Sequence, residues 1–150
     1  MDKVVLAAKL ESLRRCVGRI EQKRPCWSDL RAGEPDIQDI IVLNLTRAVQ
    51  LCVDIGSHIV SDSELPAPQT MGEVFSMLEG LGAISPTTSL QLRKAVGFRN
   101  VAVHAYQAIN WGMVYSICEI NKGDRFIYPI LTPPMSQAAD QFPYGSVGAK

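Results

Sequence analysis

Apolar residues recur at three- and four-residue steps through the first 120 positions, which is the spacing of amphipathic helices. The first such run covers residues 4–22. The second begins at Glu34-Pro35-Asp36, where a proline suits the first turn and acids suit the positive end of a helix, and it continues to about Ile59. No segment alternates as a strand would, so the pattern predicts an all-α fold.

Local start and stop signals predict the later helices. Thr70 with Glu73 three residues later matches a capping box, and Gly82 is placed to end the short helix that follows. Ser85 and Pro86 then begin the next helix. These residues divide the middle of the chain into two further helical segments.

A last apolar run follows Asn110 and stops near Gly123. The four prolines beyond it preclude a regular helix in that region. We therefore expect a helical domain over residues 1–121 and an irregular, proline-containing tail over residues 122–150.

Composition narrows the class of protein. A chain of 150 residues with 47% hydrophobic content fits one domain with a buried core. It has no signal-peptide pattern and no apolar run long enough to cross a bilayer, so we expect a cytoplasmic protein that does not span a membrane. The four cysteines are far apart and form no C-x-x-C pair, so we expect no metal site, and no cofactor is indicated.

The segment most suggestive of chemistry is GFRNVAVHAY, residues 97–106, which holds Arg99, His104 and Tyr106. Residues 80–118 contain no Asp or Glu, so the local charge favours an anionic ligand such as phosphate. Arginine grips phosphate, histidine transfers protons near neutral pH, and a tyrosine hydroxyl orients an oxygen or accepts a transferred group. The same trio also occurs as a partly buried structural cluster.

Helical geometry places a condition on this trio. At about 100° per residue, Tyr106 returns close to the azimuth of Arg99, whereas His104 lies about 140° away from Arg99. One straight helix does not bring the three together. Either the helix ends or bends near His104, or a second copy of the chain completes the site.

Three stretches of the sequence resemble a known family. They are IVLNLTRAVQLCVDIGSHI (residues 41–59), LPAP (residues 65–68) and the segment 97–106. They resemble the HepT toxins, the minimal HEPN-domain ribonucleases encoded beside a small nucleotidyltransferase antitoxin. The family signature is an arginine, a polar residue, three further positions, a histidine, one residue and a tyrosine, and residues 99–106 fill it without a gap.

The resemblance implies a fold, an activity and roles for residues. The fold is a HEPN-like up-and-down helical bundle that dimerises, with two copies of the motif meeting in a basic cleft that cuts RNA without a metal ion. Arg99 would hold the scissile phosphate, and Asn100 would help to orient that phosphate. His104 would transfer a proton. Tyr106 would contact the substrate and accept AMP from the partner nucleotidyltransferase, which would silence the toxin by adding bulk and negative charge.

A polar stripe on the second helix is a further candidate. Asn44, Arg47, Asp54 and His58 share a sector of about 80° on a helix that is otherwise apolar around most of its circumference. The stripe is either a solvent-facing surface or part of the same cleft, where it would support the site or contact RNA.

The sequence is also compatible with a second class of function. Family members continue their last helix well past the position of Ile117, whereas this chain becomes proline-rich. The alternative is therefore a non-catalytic helical dimer module that binds a nucleotidyltransferase or a nucleotide. A plain structural bundle would leave the acid-free span around Arg99 unexplained.

Overall fold

The computed structural model describes residues 3–23 and 33–120, which contain five α-helices, one 3₁₀ turn and no strand. The elements are α1 (Lys3–Gln22), α2 (Pro35–Ser61), α3 (Met71–Gly80), α4 (Pro86–His104), the 3₁₀ turn Tyr106–Ala108 and α5 (Trp111–Ile120). The predicted all-α bundle is confirmed. The predicted tail, residues 122–150, lies outside the described residues.

Side-chain caps start the helices where the sequence predicts them. At the start of α2, Ile37 N–H donates to the Glu34 carboxylate at 3.0 Å, and at the start of α4, Thr88 N–H donates to the Ser85 hydroxyl at 3.1 Å. Each cap satisfies a backbone N–H that has no partner inside its helix.

The capping box of α3 differs from the standard pattern in one bond. Glu73 N–H donates to the Thr70 hydroxyl at 3.1 Å, as predicted. The Glu73 carboxylate, however, accepts from Gln69 N–H at 2.6 Å, one residue earlier than the box requires. At the other end, Gly82 has φ of 71°, and Ala83 N–H donates to Leu78 C=O at 2.9 Å, which closes the helix as a glycine terminus does.

Helix α2 is the spine of the bundle. It is 27 residues long, about 40 Å at 1.5 Å per residue, and α1, α3 and α4 all pack against it. By length and composition α2 could cross a membrane, but 56% of its most apolar window is buried inside the bundle. That burial is typical of a core helix and confirms its predicted central position.

The buried side chains form two cores along α2. The first core lies between α1, the second half of α2, α3 and α4, and includes Leu13, Phe75 and Leu92. The second core lies around the first half of α2 and the final elements, and includes Ile41, Phe98, Ile109, Val114 and Cys118. The Arg99 segment is built on this second core.

Helices α2 and α3 approach each other closely at Gly56. A Cβ on Gly56 would lie 2.7 Å from Val74 Cγ1 and 3.0 Å from Leu78 Cδ1. The helices approach this closely because position 56 has no side chain.

Three of the cysteines behave as small apolar residues. Cys16, Cys52 and Cys118 are buried, and burial raises the pKa of the Cys52 thiol to about 12. A thiol with so high a pKa is unreactive at neutral pH, because the thiolate is the nucleophile. Cys26 lies outside the described residues.

Candidate active site

Helix α4 ends at His104, which is where the first of the two alternatives expects the helix to end or bend. Ala105 leaves the helical region, with φ of −147° and ψ of 58°, although its N–H still donates to Val101 C=O at 2.8 Å. A 3₁₀ turn follows, in which Ala108 N–H donates to Ala105 C=O at 2.8 Å. The end of α4 contains neither glycine nor proline. The 3₁₀ turn that follows places Ile109, which is 8% exposed, in the second core.

Arg99 keeps its positive charge free of carboxylates. Its Nη1 donates to Asn100 Oδ1 at 3.3 Å, and the guanidinium forms no ion pair within residues 3–23 and 33–120. Its Nε is buried with no hydrogen-bond partner in the same part of the chain. A buried N–H without a partner lowers the stability of the fold by about 1 to 3 kcal/mol, and such unsatisfied donors are typical of ligand-binding sites. The guanidinium therefore remains available for an anion.

His104 is exposed at the last residue of α4. Five residues of regular helix separate it from Arg99, so it lies about 7.5 Å further along the axis and about 140° around it. The end of α4 therefore frees Tyr106 from the helix but leaves His104 and Arg99 on different sides of it.

Tyr106 is held by two contacts. Its hydroxyl donates to Asp39 Oδ1 at 2.7 Å, and its ring meets Trp111 edge-on with the centroids 6.3 Å apart. Partial desolvation, the hydrogen bond to Asp39 and the negative charge of that carboxylate raise the pKa of Tyr106 to about 12. The phenol is therefore fully protonated at neutral pH.

Sequence reasoning missed Asp39. It lies on α2, 67 residues before Tyr106, and nothing in its local pattern separates it from other acids on a helix surface. Only the packing of α4 and the 3₁₀ turn near the start of α2 brings it to the site.

The polar stripe does not form one surface. From Asp39, which marks the level of Tyr106 on α2, Arg47 is about 12 Å along the axis, Asp54 about 22 Å and His58 about 28 Å. Asp54 accepts a hydrogen bond from Lys9 of α1 at 2.9 Å and so forms an ion pair there. Within residues 3–23 and 33–120, the stripe therefore extends over most of the length of α2 and away from the level of Tyr106.

Two of the four stripe residues are also buried, which corrects the alternative of a solvent-facing stripe. His58 is 5% exposed and its Nε2 lies 3.5 Å from Asp62 Oδ2. Asn44 is 8% exposed and donates to Ile40 C=O at 2.8 Å. Both side chains are covered because α2 is packed on several sides.

Arg47 and Asn44 lie beside an open groove between α1 and α2. The groove has a volume of about 890 Å³, and three arginines line it, Arg15, Arg19 and Arg47, with no acidic residue in its lining. Arg15 lies 3.5 Å from Glu11, whereas Arg47 makes no ion pair with any described residue. Most of the groove's surface is apolar, with Ile40, Leu43 and Leu51 in its lining, and the arginines are its candidate contacts for phosphates.

Comparison with known proteins identifies the family. Residues 10–124 match the family described as Ribonuclease HepT-like. The chain is 33% identical over 115 residues to the mRNA nuclease HepT of Shewanella oneidensis, a match that covers 77% of this chain and 86% of that protein.

Solved structures agree with this match. The fold is similar to a crystal structure of a toxin–antitoxin complex with AMP-PNP, with a TM-score of 0.76, 31% identity, and coverage of 87% of this chain and 97% of that one. It is equally similar to a tri-AMPylated HEPN toxin of Shewanella oneidensis in complex with an MNT antitoxin, with a TM-score of 0.76, 32% identity, and coverage of 87% and 98%. The chain belongs to the HepT-like ribonuclease family.

Proposed function

We propose that this protein is the toxin of a toxin–antitoxin pair and an endoribonuclease that needs no metal ion, with Arg99 and His104 as its catalytic residues. The observation that carries the proposal is the Arg99 guanidinium, which faces no carboxylate within the described residues and lies in a segment without acids. An arginine in that state binds the phosphate of an RNA backbone and stabilises the charge that builds on it.

The chemistry follows from the residue types. His104 takes the proton of a ribose 2′-hydroxyl, whose oxygen then attacks the adjacent phosphorus. The bond from phosphorus to the 5′-oxygen breaks, and the departing 5′-oxygen takes a proton from water. The products are a 2′,3′-cyclic phosphate and a 5′-hydroxyl. Asn100, hydrogen-bonded to Arg99, helps to orient the phosphate, and Tyr106 contacts the substrate. General base catalysis and charge stabilisation each contribute on the order of 10² to 10⁴ in rate.

A homodimer completes the site in this proposal. Because His104 lies about 140° around α4 from Arg99, the two converge only when a second copy supplies one of them. Val101 and Val103, both at least 38% exposed on α4, provide apolar surface for such a contact. The RNA then follows the groove lined by Arg19 and Arg47 away from the site.

The partner in this proposal is a nucleotidyltransferase antitoxin of the MNT type. The similar Shewanella oneidensis toxin is AMPylated and bound to such an antitoxin. In this chain Tyr106 is the candidate acceptor, since the residue is 43% exposed and lies beside the proposed site. An added AMP places a negative charge where RNA phosphate would bind.

Purified wild type, Arg99→Ala and His104→Ala test the nuclease, with Arg14→Ala as the matched control. Arg14 is exposed on α1, pairs with Glu11 and does not line the groove. In EDTA, wild type and Arg14→Ala should cut RNA to cyclic phosphate ends, and the other two should lose at least 100-fold in rate while keeping the wild-type melting temperature.

Two outcomes would contradict the proposal. Cleavage by His104→Ala at the wild-type rate would exclude histidine as the proton-transfer group. A folded, dimeric wild type that binds its nucleotidyltransferase but leaves RNA intact would favour the non-catalytic binding module.

A further inference from the structure

We propose that Asp39 orients Tyr106 and accepts its phenolic proton when the hydroxyl receives AMP. This inference rests on the proposed modification of Tyr106. It assigns to the toxin itself one of the groups that drives its own inactivation.

The contact is specific to the hydroxyl. Tyr106 is 43% exposed, so burial alone does not fix its ring, and its oxygen nevertheless lies 2.7 Å from Asp39 Oδ1. That distance is typical of a charge-assisted O–H···O⁻ bond. Trp111 meets the ring edge-on and limits its rotation. The hydroxyl is therefore aimed at the carboxylate before any partner binds.

The Asp39 carboxylate has no competing partner among the described residues. It is exposed on α2, forms no ion pair in that part of the chain, and accepts from the Tyr106 hydroxyl alone. Asp54, by contrast, accepts from both Lys9 and Gln50 at 2.9 Å. A structural ion pair thus does not account for Asp39.

The reaction requires a proton acceptor at this position. The phenol is protonated at neutral pH, as a phenol of ordinary pKa also is, and the contact with Asp39 helps to raise its pKa to about 12. When Tyr106 Oη attacks the α-phosphorus of ATP, the new Oη–P bond forms as the P–O bond to pyrophosphate breaks, and the phenolic proton passes to Asp39. Pyrophosphate leaves, and ATP is the only co-reactant. A carboxylate already in hydrogen-bond contact meets the geometric requirement for a general base.

The product loses the contact that positioned the tyrosine. An AMP-tyrosine has no hydroxyl proton to donate and carries a phosphodiester charge, which Asp39 repels. The modified side chain is therefore released from α2. The same carboxylate that holds the free tyrosine in place disfavours the modified one there.

Asp39→Asn, Asp39→Glu and the matched control Asp36→Asn test the inference. Asp36 is exposed on the first turn of α2 and lacks the contact with Tyr106. Each toxin is incubated with ATP and its cognate nucleotidyltransferase, and AMP on Tyr106 is followed by mass spectrometry from pH 6 to 9. Affinity for the nucleotidyltransferase is measured alongside.

Asp39→Asn should lose on the order of 10² in the rate of AMP transfer with unchanged affinity for the antitoxin. Its rate should also rise about tenfold per pH unit, because only the rare tyrosinate then reacts, whereas the wild-type rate stays flat. Asp39→Glu should restore part of the rate, and Asp36→Asn should behave as wild type. A residue that merely stabilised the fold would not change the pH slope.

The experiment distinguishes an error in the modification site from an error in the role of Asp39. If wild type takes no AMP on Tyr106, or if Tyr106→Phe takes as much as wild type, the modification site is wrong and the role of Asp39 falls with it. If Tyr106 is the acceptor and Asp39→Asn keeps the wild-type rate and pH profile, only the role of Asp39 is wrong.

Discussion

The crossing of α2 and α3 at Gly56 gives a stability prediction that the distances define. In Gly56→Ala the new methyl carbon would lie 2.7 Å from Val74 Cγ1 and 3.0 Å from Leu78 Cδ1, well inside van der Waals contact. Both neighbours are 2% exposed, and Val74 is β-branched, so neither side chain moves freely. Overpacking of this kind costs about 1 to 3 kcal/mol. Against it stands a gain of about 1 kcal/mol from the higher helix propensity of alanine.

The net expectation for Gly56→Ala is a loss of up to about 2 kcal/mol, or a fall of up to roughly 8 °C in melting temperature. Gly18→Ala is the matched control, because Gly18 lies inside α1 and a Cβ there would meet nothing within 4 Å. It should raise stability by about 0.5 to 1 kcal/mol. Urea unfolding of both variants followed by circular dichroism measures the difference. If Gly56→Ala gained as much stability as Gly18→Ala, the close approach would not exist in solution.

Three other predictions concern the groove, the site and a cap. Arg47→Glu should weaken binding of a single-stranded RNA and lower the slope of log K against log salt concentration by about 0.7 per lost phosphate contact. Arg14→Glu makes the same charge change outside the groove and should change neither quantity. Equal losses of affinity in fluorescence anisotropy titrations would refute this prediction. Ultraviolet difference titration should place the pKa of Tyr106 at about 12. The stability contributed by its bond to Asp39 is therefore present below pH 10 and lost between pH 10 and 12. Asp39→Asn should lower the pKa of Tyr106 towards 10, and an unchanged pKa would rule out the carboxylate as a cause of the shift. Thr70→Ala should cost about 1 kcal/mol in thermal unfolding, and a neutral result would mean that its cap bond is not formed in solution.

Helix boundaries were predictable because the bonds that set them are local. The hydroxyls of Thr70 and Ser85 each accept from an N–H three residues later, so both partners stand in one short window of sequence. The end of α4 at His104 was predictable only as a geometric condition, since no glycine or proline stands there. The burial of Ile109 in the second core supplies the physical cause.

The site was only partly predictable, and its missing member shows why. Arg99, His104 and Tyr106 were found because they share one segment. Asp39 is 67 residues from Tyr106, and a contact at that separation depends on how the helices pack. The helical angles that grouped Asn44 with His58 also carried no information about packing. They gave each side chain's direction on α2 but not which neighbouring helix covers it.

The division of the interior into two cores has a consequence for how activity fails. Tyr106 and the end of α4 rest on the smaller second core, while most of α1, α3 and the second half of α2 belong to the first. Regions with fewer apolar contacts open locally before the whole molecule unfolds. Mild denaturant should therefore abolish RNA cleavage while far-ultraviolet circular dichroism stays nearly native. Amide exchange in α5 should likewise be faster than in the Phe75 region. A toxin built this way can be switched off by stress that leaves most of its helices intact, and can recover without refolding from the beginning.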